Sequence, residues 1–314
     1  MHISQIKKDL LSILDVNPDW IATLDINPIA NIIKKSKTHE LLFLLRKVFG
    51  FIDGNPLIKK INKEHYSQDK IQIIFRKIVR IEKDLRERDN VNDQLITNTI
   101  SLLSEIEYFK IFPNRYSDTF IKTVIKSNFI KEVDNIGYKS KTISLLGKMG
   151  YSNIYVDREL KKLENCQNKD GGWGETEGLK SDVFISLLVF ECFRQNRLWK
   201  KRDFILKLED YLISNHLSAS QSKNEQDRWN RIHSGYKENG MLEGGSLLLL
   251  EGLLMNPSEL NEKKIKSLIK WLKSIQLDSG YFPYHAELKS QDNLMTTIKS
   301  TFCFKKYYLL KSGL

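Results

Sequence analysis

Apolar residues recur along this chain at helical spacing almost from end to end. Between Ile6 and Leu14 they fall at Ile6, Leu10, Ile13 and Leu14, the i, i+4, i+7, i+8 stripe of an amphipathic helix. The segments Leu41–Phe49, Ile71–Leu85, Leu95–Ile106 and Phe120–Ile130 carry the same stripe. There is no sustained apolar–polar alternation of period two. No Asn-Gly or Asp-Gly pair joins two β-branched runs. Asn-Pro pairs at 17–18, 27–28 and 256–257, with Gly54-Asn55-Pro56 and Pro113-Asn114, fall between the stripes and break them. The pattern predicts an all-α fold. No linker rich in Gly, Ser or Pro interrupts it, so residues 1–314 are expected to form a single domain.

The second half repeats itself. Residues 159–193 read ELKKLENCQNKDGGWGETEGLKSDVFISLLVFECF, and residues 268–304 read LIKWLKSIQLDSGYFPYHAELKSQDNLMTTIKSTFCF. Laying Gln167 on Gln276 brings Leu163 onto Leu272, Gly171 onto Gly280 and Trp173 onto Phe282. Between these units, the run from Tyr211 to His216 matches that from Trp271 to Gln276, with His216 in the glutamine's place. The anchors at 167, 216 and 276 set a unit of about 55 residues, or about six helical hairpins along the chain. One hairpin cannot bury its own apolar face, so such units stack into solenoids or closed arrays. Residues 1–140 fit only as degenerate hairpins, and residues 141–314 carry the recognisable repeats.

The shared pattern, Leu-x3-Gln-x3-Gly-x-aromatic, resembles the QW-type repeat of the terpene cyclase and protein prenyltransferase superfamily. Trp271-Leu272, Gln276, Gly280 and Phe282 match it with Phe for Trp. Leu163, Gln167, Gly171 and Trp173 match it with Lys162 at the first aromatic position. The resemblance implies an (α/α) toroid, with inner helices around a central cavity that binds an isoprenoid. The repeat has a physical logic of its own. A Gln at the end of an outer helix bonds backbone groups of the next loop, glycines permit positive φ, and the aromatic ring covers the helix terminus.

The superfamily's usual chemistry is missing. Its zinc enzymes carry Asp-x-Cys at the start of one inner helix and His at the start of the next, soft and borderline ligands that hold a thiolate. Here Asp182-Val183-Phe184 puts Phe184 in the cysteine's place, and Met295 stands where the His belongs. No zinc or other cofactor is expected. The DxDD acid of protonation-initiated cyclases is absent, and Asp89-Asn90-Val91-Asn92-Asp93 lacks the paired carboxylate of a DDxxD magnesium site. Three acids are left as catalytic candidates. Asp182 precedes a strongly apolar helix, which also suits an N-cap. Glu191 and Glu251 lie inside apolar runs, where a desolvated carboxyl could serve as a general acid.

Composition adds one pointer. The chain carries 50 Lys+Arg against 39 Asp+Glu, a net charge of +11, which favours anionic partners. No basic stripe with aromatics marks a nucleic-acid reader, and none is expected as a partner. No apolar run approaches the ~18 residues of a membrane span. The N-terminal run lacks a signal peptide's apolar core. The expected location is cytoplasmic, or peripheral to a membrane. Cys166, Cys192 and Cys303 make no disulfide framework.

The excess charge is spread along the chain, and one irregular place sets cationic donors beside aromatic rings. The segment from His216 to Ser246 is about twice as long as that from Gln167 to Asp182. It holds Arg228, Trp229, Arg231, His233 and Tyr236. Arginines there could pin a phosphate or carboxylate, and the rings could stack on a ligand. With Phe184 and Tyr284 they form the candidate ligand-binding set. Three readings stay open. The first is a terpene-cyclase-like or prenyl-transferring protein that binds or converts a polyprenyl diphosphate or another apolar or anionic small molecule. The second is a non-catalytic toroid for a lipid or protein partner. The third is a carbohydrate-active α/α-barrel enzyme.

Overall fold

The structure is a computed structural model and describes residues 3–87, 91–111, 114–127, 129–151, 154–195, 203–219, 221–232, 244–255, 257–287 and 292–313. It is an all-α fold. The chain opens with α1 (Ile3–Ile13), a 3-10 turn (Asp19–Thr23), α2 (Ile29–Lys35) and α3 (Thr38–Phe43), which runs into a π-helical turn (Leu44–Val48). Next come α4 (Pro56–Tyr66), α5 (Asp69–Glu87), α6 (Asp93–Tyr108), α7 (Arg115–Lys126), α8 (Phe129–Glu132) and α9 (Ile136–Lys148). The remaining helices are α10 (Ile154–Asn165), α11 (Val183–Gln195), α12 (Asp203–Asn215), α13 (Lys223–Asn230), α14 (Ser246–Met255), α15 (Glu259–Ser274) and α16 (Leu294–Lys311). A two-residue antiparallel pair, β1 (Phe282–Pro283) and β2 (Asp292–Asn293), precedes α16. Among the described residues no helix is long and apolar enough to cross a membrane.

Asparagine sets many of the helix starts. Asn55, Asn92, Asn114, Asn135 and Asn293 each accept a backbone N–H of the first turn through the side chain, giving α4, α6, α7, α9 and α16 their N-caps. Pro56 follows its cap at a position where a missing N–H costs nothing. The stripe from Phe120 to Ile130 is two helices rather than one. Its first ends at Lys126, where Ser127 takes an extended conformation (φ −66°, ψ 154°), and α8 starts at Phe129. The irregular segment after His216 also holds a helix. Ser222 and Glu225 form a reciprocal capping box that starts α13.

Two kinds of helix result. In α1, α4, α5 and α10 one stripe is buried and the rest faces water, whereas α9, α11 and α14 are buried along most of their length. The buried helices pack in succession: α6 on α9, α9 on α11, α11 on α14, and α14 on α16. Small residues let α9 and α11 approach closely, since Gly137 and Gly147 lie against Leu188 and Gln195. The amphipathic helices back them, with α5 on α6, α12 on α11 and α15 on α14. The last helix returns to the beginning, for α16 packs on the 3-10 turn, α2 and the π-helical turn. There Lys305 donates to the Val48 carbonyl at 2.6 Å.

Candidate functional site

The two glutamines of the repeat do the same work. Gln167 Nε2 donates to Gly171 O and to Phe204 O, both at 2.9 Å, so it ties its own loop to the start of α12. Gln276 Nε2 donates to Gly280 O at 2.9 Å and to Ile26 O at 2.7 Å, while its Oε1 accepts from Asp25 and Ile26 N–H. The segment that meets Gln276 is therefore the stretch before α2, some 250 residues away in sequence, and Lys273 pairs with Asp25 beside it at 3.0 Å. Gly171 and Gly280 stand at φ +89° and +80°, pressed against the Lys207 carbonyl and the Ile26 side chain, which leaves no room for a Cβ. Trp173 is fully buried and donates its indole N–H to Leu163 O at 2.7 Å, capping the end of α10. Its backbone N–H goes to Ser186 Oγ at 2.8 Å, and that of Phe282 goes to Thr297 Oγ1 at 2.9 Å.

His216 takes the glutamine's place differently. The Ser246 hydroxyl gives its one proton to Trp229 O at 2.6 Å, so His216 Nε2–H donates to Ser246 Oγ at 2.8 Å. Burial brings this imidazole down to about 3, and it is neutral at any ordinary pH.

Most of the sequence-derived candidates gather at the N-terminal end of α11. Asp182 caps this helix, its Oδ1 accepting from Phe184 and Ile185 N–H at 2.8 and 2.9 Å. The Arg228 guanidinium lies 3.5 Å over the Phe184 ring, and that ring packs 5.0 Å from Trp229, which is fully buried. Arg231 pairs with Asp227 at 2.9 Å, and the other oxygen of Asp227 meets His285 at 3.0 Å. Burial pushes the Asp227 carboxyl up, but its bonds to His285 and Arg231 outweigh that and hold it below its ordinary value. Tyr284 joins through its backbone, accepting from Ile232 N–H at 2.9 Å. His233 and Tyr236 lie outside the described residues. In this cluster Trp229 fills the core and Arg231 already faces a carboxylate.

Glu191 and Glu251 lie elsewhere. Glu191 is two turns of α11 beyond Phe184, about 10 Å along the axis. It is buried and ion-paired with Lys148 of α9. Around this pair Glu107 and Lys110 come from the end of α6, Lys141 from α9, Glu251 from α14 and Lys299 from α16, each within electrostatic reach of Lys148. Burial opposes the charge on Lys148, but Glu191, Glu107 and Glu251 outweigh it and raise the ammonium above its ordinary value. Burial also pushes Glu107 up, against which Lys110 and Lys148 prevail and bring it down to about 2. Lys110 falls to about 8, chiefly by burial. Arg194 of α11 also lies within electrostatic reach of Glu251 and Glu191, and it donates to Leu248 O at 3.3 Å.

Lys110 has a backbone peculiarity. It follows α6 at φ 54°, with Ile111 N–H bonded to Ile106 O at 3.0 Å. Gly150 after α9 and Gly50 after the π-helical turn hold the same left-handed position, at φ 84° and 74°. That position is glycine's by preference, and here it carries a lysine whose side chain joins the charged cluster.

The structure thus brings Asp182, Phe184, Arg228, Trp229, Arg231 and Tyr284 together and places Glu191 and Glu251 in a second cluster. Sequence reading found Glu191 and Glu251 of the second cluster and missed Glu107 and the lysines. The available signal was a lone Lys among small hydroxyl and apolar residues, as in GYKSKTISLLGK and TTIKSTFCF. No family model, no curated protein and no solved structure matches this chain.

Proposed function

We propose that this protein is a closed (α/α) toroid whose interior binds an anionic small molecule at the lysine–glutamate cluster. The carrying observation is that helices α9, α11, α14 and α16, with the end of α6, send Lys110, Lys141, Lys148 and Lys299 against Glu107, Glu191 and Glu251. With Arg194 also within reach of Glu191 and Glu251, basic groups outnumber the carboxylates here, and a field of that sign favours an anion. The left-handed Lys110 supports the reading, because strain held by its surroundings collects at functional sites. Closure is supported by Gln276, which bonds the stretch before α2 as Gln167 bonds the start of α12.

The repeat resemblance nominates a polyprenyl diphosphate as the anion. In this role Lys148 and Lys299 hold the charge and Glu191 orients Lys148. A thermal-shift series tests the proposal with a polyprenyl diphosphate, the matching prenol, inorganic diphosphate and an acidic oligosaccharide. An anion at ~100 times its Kd adds about 2.7 kcal/mol of stability, and Lys148→Gln with Lys299→Gln removes that gain. Equal stabilisation by prenol and diphosphate, or a response that survives the double substitution, refutes the charged cluster as the site. A gain from the oligosaccharide alone transfers the site to the carbohydrate reading.

A further inference from the structure

We propose that the outward face of α5 and α7 docks this protein on an anionic lipid bilayer. The face lies apart from the lysine–glutamate cluster, and the proposal does not rest on that cluster.

The two helices pack side by side and run in the same direction. The rings of Phe75 and Tyr116 lie 5.2 Å apart, and seven residues further along both helices Thr123 donates to Glu82 at 3.3 Å. At 1.5 Å per residue α5 is about 28 Å long, and the pair makes a surface two helices wide. Burial follows the helical period, so each helix turns one stripe outward. On α5 that stripe carries Arg76, Arg80, Lys83 and Arg86, and on α7 it carries Arg115, Lys122 and Lys126, all exposed. Together the two helices hold nine Lys and Arg against five Asp and Glu. Two of these acids, Glu82 and Asp118, are half-buried and held by Arg86 and the Tyr151 hydroxyl.

Apolar groups stand among these charges. Ile73 and Val79 of α5 are 48% and 59% exposed, and Tyr116 of α7 is 53% exposed. The bond from Tyr151 to Asp118 brings the start of α10 alongside, where Ile154 is exposed as well.

This combination selects the partner. Long cationic side chains reach lipid phosphates and carboxylates, while the aliphatic groups and the tyrosine between them leave water at headgroup level. The Phe75 and Tyr116 rings occupy the seam between the helices, so the pair presents a plane to a bilayer and no groove for a single acidic segment. A nucleic acid would engage the cations and leave Ile73 and Val79 in water.

Co-sedimentation of the full-length protein with vesicles tests the proposal. Vesicles of phosphatidylcholine with about one-third phosphatidylserine should bind it, less so as added salt screens the charges, and pure phosphatidylcholine should not. Each basic residue near such a surface is worth about fivefold in partitioning. Arg76→Gln, Arg80→Gln and Lys122→Gln together should therefore lower it by about a hundredfold. Ile73→Ser with Val79→Ser should lower it by about tenfold. All five positions are exposed, so both variants should melt as wild type does. Lys263→Gln, Lys266→Gln and Lys270→Gln remove the same charge from the exposed side of α15 and should change partitioning by less than about threefold, because distant exposed charges are screened. Equal losses from the α15 set and the α5–α7 set would show that net charge acts without a face, and would overturn the proposal. No binding to the anionic vesicles, equal binding to neutral ones, or no loss in the Ile73 and Val79 variant overturns it too. Tighter binding to single-stranded RNA, lost with the three cations and kept without the two aliphatic groups, overturns it in favour of a nucleic acid.

Discussion

Replacing Lys110 with glycine separates a functional strain from a structural ion pair. A non-glycine residue in the left-handed region costs roughly 1–2 kcal/mol, which Lys110→Gly relieves. Against this stands the lost pair with Glu107. The substitution does not strand that carboxylate, because Lys148 and Lys299 remain within its reach. The cost of a buried charge left without any partner, about 3–5 kcal/mol, therefore does not apply, and the two effects cancel to within about 1 kcal/mol. The converse substitution, Glu107→Gln, removes the carboxylate that Lys110 pairs with at 8% side-chain exposure, and is expected to cost about 3 kcal/mol. Titration gives an independent handle. The folded value of Lys110, about 8, lies below its unfolded 10.5. Between those two pH values the unfolded chain binds more protons, so stability rises with pH across the window, by about 3 kcal/mol at most. Urea melts of wild type and Lys110→Gly from pH 7 to 10.5 should show that slope in the first and its loss in the second. Lys110→Gly should also weaken the response to diphosphate. If it destabilises by more than about 2 kcal/mol while the anion response stays intact, Lys110 is half of a structural ion pair and the strain argument falls.

Other expectations follow from the same geometry. Trp173→Ala opens a fully buried site and removes the cap on Leu163 O, so it should cost about 3–5 kcal/mol in a urea melt; a midpoint equal to wild type would show that the ring is dispensable. His216 is neutral when folded, at about 3 against an unfolded 6.5. The unfolded chain binds more protons between those values, so stability is lost as pH falls through the window. His216→Gln, the residue used at 167 and 276, should flatten that part of the pH profile, and a slope identical to wild type would assign it to other groups. Phe184 and Met295 are both buried apolar side chains, so elemental analysis should find less than about a tenth of an equivalent of zinc; a stoichiometric, chelator-resistant ion would overturn this.

The helices and the glutamine clamps were legible in the sequence because both are local. A stripe such as Ile71, Ile74, Ile78 and Ile81 is written within α5 itself, and Gln167 reaches Gly171 four residues on. Short-range signals also existed for the two misread places. Ser222 and Glu225 have capping-box spacing, and Ser127-Asn128 sets two turn-favouring residues directly after Lys126. The charged cluster had no such signature. Lys148 and Glu191 lie 43 residues apart, on helices whose register is fixed only when the small residues of α9 meet α11, and no periodicity encodes which charge faces which. One deviation from a local rule did point there. The turns after the π-helical stretch and after α9 end in Gly50 and Gly150, and the turn after α6 puts Lys110 in the same left-handed position. Leu217 after α12 shares that region at φ 54°, so among the described residues two turns depart from the local preference for glycine, and the one at Lys110 lies in the cluster where the helices send their charges. Agreement between local and global preference specifies the fold, and a departure held in place by its surroundings marks where a chain accepts strain for another end. In Lys110 the departure sets an ammonium group against Glu107, beside Lys148.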